Sequence, residues 1–464
     1  MACLAAHFGR APSGRPPGPD VGPRMSDARP DRSSNSRAPV KSRRVPQFAF
    51  SRTGSIGYPY GSMRTLTKGR AAVGKSDNRA AARAAILGGA AIAALAIIGC
   101  NRGCNRAGNG PAGVSNPSVG YAYITNNGDG TVSQFSRQAD GTLVFQKLTR
   151  AGAVDGPTGI AVDPSNRFVY AANEGDNRIY QFRIRGANGD LAPIGGGSVS
   201  DGPNSRPQQI ALAPHGDFVY VTNAGGGKDA AGSIAEYAID QNDGSLRPLG
   251  VFRGEGLKQP LGIVVAPGGK LVYVSDPAAG TILAFAVAPG GTLKLAGSTP
   301  SLGTKTGQPG MIAIDPSGGF VYTVDGPASV VVVFKAGVGG KLDFTKTCLV
   351  GVSTADPFGI ALATAGASKF VYTGNRAVDT VSYFLRQDGA PALEGQSATG
   401  LGGPTGMVAD PAGHFLYVVN RDAATVAQFA IVVAHHGGLF LASTVFTEDP
   451  ANQSSHPLYI AITH

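Results

Sequence analysis

Phe218-Val219-Tyr220-Val221-Thr222-Asn223 is a run of aromatic and β-branched residues that stops at a turn former. Side chains of this kind suit a pleated, half-buried strand, and the terminal Asn suits the turn after it. Further copies read Tyr121-Ala122-Tyr123-Ile124-Thr125-Asn126, Phe168–Asn173, Leu271–Asp276, Phe320–Asp325, Phe370–Asn375 and Phe415–Asn420. The seven central tyrosines fall at 123, 170, 220, 273, 322, 372 and 417, spaced by 45 to 53 residues. A period of this size marks a repeat architecture in which each unit is one small supersecondary element.

Each unit follows the same grammar. Pro157-Thr158-Gly159-Ile160-Ala161-Val162 opens one, the turn Asp163-Pro164-Ser165-Asn166 follows, and then comes the Phe-Val-Tyr strand. A variable loop leads to an alternating strand, Arg178–Phe182, and a last strand is expected near Leu191. Four short strands joined by Gly, Pro, Asn and Asp turns predict one antiparallel sheet per repeat. Seven such sheets around an axis predict an all-β, seven-bladed β-propeller over residues 119–464. The first repeat lacks its opening Pro element, and His456-Pro457-Leu458-Tyr459-Ile460-Ala461-Ile462-Thr463 at the C-terminus supplies it. The C-terminal strand is therefore expected to close the ring as the inner strand of the first blade. The central tyrosines, set among β-branched neighbours, read as blade packing and not as ligand stackers.

The 464-residue chain carries a net charge of +10, and that charge is unevenly spread. Residues 1–110 hold 18 Lys+Arg against 4 Asp+Glu, leaving 22 against 26 for the rest. The basic surplus belongs to the leader, and a mildly acidic repeat region disfavours nucleic acid as a partner. Residues 1–62, rich in Arg, Pro, Ser and Gly, read as a disordered segment. Met63 reads as the start of translation. Within 63–100, Arg64, Lys68, Arg70, Lys75, Arg79 and Arg83 precede an uncharged run from Ala84 to Gly99. A basic flank and a short apolar run form a secretory signal, and the run falls short of the roughly 20 residues of a membrane-spanning helix. Its end, Ile97-Ile98-Gly99-Cys100, resembles the lipobox of bacterial lipoproteins. That resemblance implies a lipid on Cys100; the alternative is an uncleaved anchor. Residues 101–118 read as a flexible tether. Either way the repeat region is expected outside the cytoplasm, membrane-anchored, in a bacterial cell envelope or periplasm.

Tyr220-Val221-Thr222-Asn223 is the tetrapeptide for which the YVTN-repeat propellers are named. The whole of 119–464 also resembles the seven-bladed lactonase family, with its 6-phosphogluconolactonase-like and muconate-cycloisomerase-like members. The resemblance implies lactone chemistry at the axial mouth: a His leading into the third inner strand, an Arg-His pair in the next, and a Glu after the following strand. Gln208, Leu261-Gly262 and Pro277 occupy those places here. Glu174 alone keeps an acid common in the family's second blade. An amide cannot shuttle a proton at neutral pH and Leu261 cannot hold an anion, so the lactonase positions read as largely substituted.

The mouth is expected to be lined by Thr158, Glu174, Arg206, Gln208, Leu261, Asp276, Asp325, Arg376, Arg421 and His456. Catalytic candidates are Glu174, Arg206 and His456; ligand-binding candidates are Gln208, Lys258, Arg376 and Arg421. Arg206, Lys258, Arg376 and Arg421 could converge on an anion, or be scattered surface charge. His215 and the pair His435-His436 read as exposed turn residues. Asp-Gly and Asn-Gly pairs follow the hairpins and not the ligand spacing of a calcium loop. Of Cys3, Cys100, Cys104 and Cys348, the last reads as a packing residue. No metal or cofactor is expected, and a monomer is. The leading reading is a small molecule or protein bound at the mouth; the alternative is hydrolysis of an extracytoplasmic lactone.

Overall fold

A computed structural model describes residues 118–152, 156–226, 231–254, 256–303, 306–387, 390–398, 402–448 and 455–464. The readings made of 1–62, the signal segment, Cys100 and the tether lie outside them. Among the described residues there is no α-helix, only strands and two single 3-10 turns.

The repeat that contains Phe218–Asn223 is blade 3. Its strands, from the axis outward, are Pro207–Leu212, Phe218–Asn223, Ser233–Ile239 and Leu246–Phe252, each antiparallel to its neighbour. Blades 2, 4, 5, 6 and 7 repeat this sheet over 157–200, 263–300, 309–349, 357–398 and 404–446. Blade 1 takes its inner strand, Pro457–Ile462, from the chain's last residues, paired antiparallel with Ser118–Asn126. The inner strands touch one another in succession all the way round, so the ring is closed. In each blade the start of the inner strand and the end of the second strand share one face, which carries the mouth.

The ladder hydrogen bonds of the strands are made within blades, and side chains do much of the joining of one blade to the next. The central tyrosines do this. Tyr123, Tyr170 and Tyr220 donate their hydroxyls to the carbonyls of Gly189, Gly244 and Gly291, at 2.7–2.8 Å. Tyr372 and Tyr417 donate to Gly437 and Gly141 at 3.0 Å, the latter bond joining blade 7 to blade 1. Each acceptor lies in the outer hairpin of the following blade, on the face opposite the mouth. These glycines have φ between +70° and +87°, a region where a side chain is strained. A Cβ on Gly291 would also sit 2.3 Å from the Phe218 ring. In these five blades the aromatic pair of the second strand thus clasps the next blade's glycine.

The junction of blades 4 and 5 departs from the pattern. The Tyr273 hydroxyl is buried with no hydrogen-bond partner, and Leu271 replaces the clasping aromatic. Between blades 5 and 6, Arg386 donates to the Tyr322 hydroxyl (3.3 Å) and forms a buried ion pair with Asp315.

Another buried acid lies between blades 2 and 3. Asp201 accepts the Tyr237 hydroxyl at 2.5 Å, and its second oxygen has no partner. Burial pushes its pKa up to about 6 from an ordinary 3.8, against hydrogen bonds from Tyr237, Ser205 and Asn223 that lower it. The native state therefore favours the protonated acid. Its stabilising effect is complete below the unfolded value and lost as pH rises through 6.

Two outcomes follow from this packing. Tyr220→Phe should cost about 1–2 kcal/mol in denaturant unfolding, because it strands a buried carbonyl, whereas Tyr273→Phe should be neutral or stabilising. Asp201→Asn should raise stability by about 3 kcal/mol at pH 8 and by little at pH 4, read as melting temperature against pH.

Candidate functional site

The mouth is shaped by turn chemistry before it is shaped by chemistry of its own. Strand-ending Asn and Asp side chains bind the loops above them. Asp276 accepts the amides of Lys258 (2.6 Å), Gln259 and Ala279, and Asp325 accepts those of Gln308 (2.6 Å) and Ala328. Both are buried. Thr158 is buried as well and donates to the Pro207 carbonyl at 2.8 Å, while the second-strand hydroxyls of Thr125, Thr222 and Ser275 donate to carbonyls at the inner strand of the next blade. Thr158, Asp276 and Asp325, expected to line the mouth, are thus internal to its walls. The residues leading into the inner strands include Arg206, Asp356 and His456, with φ of 51°, 47° and 42°. Glycine holds the same place at 156 and 403.

Glu174 does meet two of its expected neighbours. Gln208 Nε2 donates to Glu174 Oε2 at 2.9 Å, and Arg206 Nη2 pairs with the same oxygen at 3.3 Å. The other predicted cations do not join this group. Arg376 turns to Asp356, with Nη2 and Nε at 2.9 and 3.1 Å from Oδ2, and its guanidinium lies 4.3 Å above the Phe358 ring. Lys258, Arg421 and His456 are exposed, and none of them forms an ion pair among the described residues.

Beneath the charged residues the axis is closed. Counting the proline that leads into each inner strand as first, the third residue in the seven blades is Gly159, Gln209, Gly262, Met311, Gly359, Gly406 and Tyr459. Tyr459 donates to the Met311 sulfur at 3.6 Å, and Gln209 lines the same small space, about 90 Å³ in volume. Tyr459 is buried, and Phe358 packs beside it with ring centroids 6.4 Å apart. Burial pushes the Tyr459 pKa upward.

Asp356, Phe358, Met311 and Tyr459 were not singled out from the sequence. A signal existed for Tyr459 and Met311: they break a register otherwise dominated by glycine. None existed for the Arg376–Asp356 pair, whose partners are 20 residues apart on opposite sides of a hairpin.

The remaining candidates fall away from the mouth. His215 is exposed beside a groove on the opposite face. His435 and His436 are exposed, and His436 Nδ1 lies 2.9 Å from Glu394. Asp129, Asp140 and Asp243 accept amides two residues ahead, as turn formers do. The Cys348 thiol is half-buried and donates to the Pro391 carbonyl at 3.1 Å; burial raises its pKa, which disfavours the reactive thiolate.

Comparison with known proteins places this geometry. A family model for the seven-bladed β-propeller lactonases matches residues 95–205, 253–356 and 354–444, more than half of the chain. A Pectobacterium carotovorum protein named 6-phosphogluconolactonase is 25% identical over 169 residues, covering 35% of this chain and 49% of its own. A Serratia proteamaculans protein of the same name is 23% identical over 197 residues, covering 41% and 58%. The chain thus spans about half the length of the curated relatives it matches. Among solved structures, the periplasmic gluconolactonase of Pseudomonas aeruginosa superposes with a TM-score of 0.61 at 17% identity, covering 74% of this chain and 99% of that one. A Lactobacillus plantarum protein superposes with a TM-score of 0.62 at 18% identity, covering 75% and 100%. At such identities these likenesses speak to the fold alone. The chain belongs to the seven-bladed β-propeller lactonase family.

Proposed function

We propose that this propeller is exported, held at a bacterial membrane through a lipid on Cys100, and binds a small molecule at its axial mouth without hydrolysing it. The observation that carries the binding reading is the state of Glu174. Its Oε2 is engaged by both Arg206 and Gln208, and Gln208 is an amide where the family's resemblance implies a histidine. Both donors tie that oxygen to its neighbours on the rim, and Gln208, an amide, cannot shuttle a proton. The mouth is still built to hold a ligand, with rigid paired charges above a floor of Phe358, Met311 and Tyr459.

A second reading is lactone hydrolysis with Glu174 as general base. It is favoured by the carboxylate kept at the mouth, 27% exposed, and by the names of the curated relatives. Lactone turnover by the purified full chain separates the two. Hydrolysis of a panel of γ- and δ-lactones should stay at the buffer rate and be unchanged in Glu174→Gln; turnover that this variant abolishes would overturn the binding reading. The export reading is supported by the basic flank and apolar run before Cys100. Cys100→Ala should move the protein from the membrane pellet to the soluble fraction, and an unchanged pellet would argue for an uncleaved anchor.

A further inference from the structure

Every blade ends in an outer strand whose far edge borders no further strand among the described residues. An open edge is a template for pairing with another chain, and charged side chains or proline on it oppose that pairing. The outer strands of blades 1 to 6 each carry a charge: Lys147, Asp190, Arg247, Lys294, Asp343 and Glu394 in turn. Four of the six, in blades 2, 3, 4 and 6, contain a proline as well. The outer strand of blade 7, Gly438–Phe446, reads Gly-Leu-Phe-Leu-Ala-Ser-Thr-Val-Phe and has neither. A bulge against the third strand interrupts all seven outer strands, so it does not set this one apart.

The side chains found in place of that protection are apolar and exposed. Phe440 is 67% exposed, Leu441 42% and Phe446 39%. The patch continues onto blade 1, whose outer strand touches this one and exposes Val144, Phe145 and Leu148. Contiguous apolar patches beyond a few hundred Å² mark interaction surfaces on soluble proteins.

The occupant this edge fits is a second copy of itself. A two-fold contact sets a surface against the same surface, so a charge near the axis meets its own like charge. Gly438–Phe446 has no charge to meet. In an antiparallel pairing centred on Ala442, the middle residue, Phe446 of one copy lies opposite Gly438 of the other, and Phe440 opposite Thr444. The glycine leaves room for the ring, and an aromatic beside a β-branched residue is a favourable cross-strand pair. Nine residues at about 3.4 Å each give an edge about 30 Å long. The blade 1 strand beside it widens the contact toward the roughly 800 Å² per partner of a stable interface. We infer that the protein forms a two-fold dimer through the outer strand of blade 7, in place of the monomer expected from the sequence. The contact lies on the perimeter of the ring and leaves the mouth open, so it does not depend on the binding reading.

Sedimentation velocity of the full chain in density-matched detergent, over roughly 1–100 μM, tests it. A concentration-dependent dimer is expected. Phe440→Lys and Ala442→Glu each set like charges against one another across the contact. Either should raise the dissociation constant at least about tenfold while leaving the melting temperature of the monomer unchanged. Leu349→Lys, on the outer strand of blade 5 and 62% exposed, should leave the dimer intact. Ala442→Cys should cross-link two copies under mild oxidation, beyond the unaltered chain, and Leu349→Cys should not. That cross-link decides the matter where a charged variant fails to fold. A monomer across the whole range would overturn the inference. So would a dimer that survives both blade 7 variants, or one that Leu349→Lys disrupts equally.

Discussion

The ring depends on one contact made over and over: a buried tyrosine hydroxyl bound to the carbonyl of a glycine in the next blade. A β-sheet satisfies its own backbone, so seven separate sheets have no reason to associate through main-chain hydrogen bonds. Association must come from apolar burial between their faces, with polar atoms placed to fix the register. The tyrosine supplies both. Its ring is wholly buried, and its hydroxyl reaches a carbonyl that the left-handed glycine exposes. The residue two positions earlier packs on that same glycine, which fixes the hairpin from a second direction. At the junction of blades 5 and 6 the buried Arg386–Asp315 pair adds a hydrogen bond to the tyrosine's hydroxyl. Removing one ion would leave the other buried and uncompensated, so this junction is held by constraint more than by net attraction.

Because the clasps lie on the face opposite the mouth, the loops of the mouth are relieved of holding the blades together there. They are not thereby free. Asp276 and Asp325 each gather several loop amides, and Asn173 accepts those of Gly175 and Asp176. The mouth is a rigid rim on which only a few side chains project. Rigid pairs such as Arg376–Asp356 lose little freedom when a ligand arrives, which favours selective binding by a modest number of groups.

The fold was legible because it is written seven times. Period, strand grammar and the missing first Pro element led to the ring and to its closure by Pro457–Ile462. The mouth was legible only in part, for a physical reason. An acid that ends a strand has one appearance in sequence whether it faces solvent or its own loop; Asp276 and Asp325 face their loops. Glu174, Arg206 and Gln208 were found together because the repeat alignment sets all three on the rim of neighbouring blades. Arg376 was found without Asp356, since pairing across a hairpin depends on turn geometry that composition does not reveal. Tyr459 was read only as part of a closing strand, although its place in a glycine-dominated register sets it on the axis.

That last residue joins stability to function. Tyr459 belongs to the strand that closes the ring, and the same side chain forms the floor of the mouth. His456, on the rim, leads into the same strand and accepts the amide of Asn127 through its carbonyl. A ligand that touches Tyr459 therefore contacts the one inner strand that is distant in sequence from the rest of its blade. Binding to the native state alone stabilises it in proportion to occupancy, and here the gain falls on the closure itself. In a ring of independent sheets, the closing strand is where loop-closure entropy is greatest and where added free energy has most to hold. On the proposed binding reading, an occupied mouth and a closed ring become the same state.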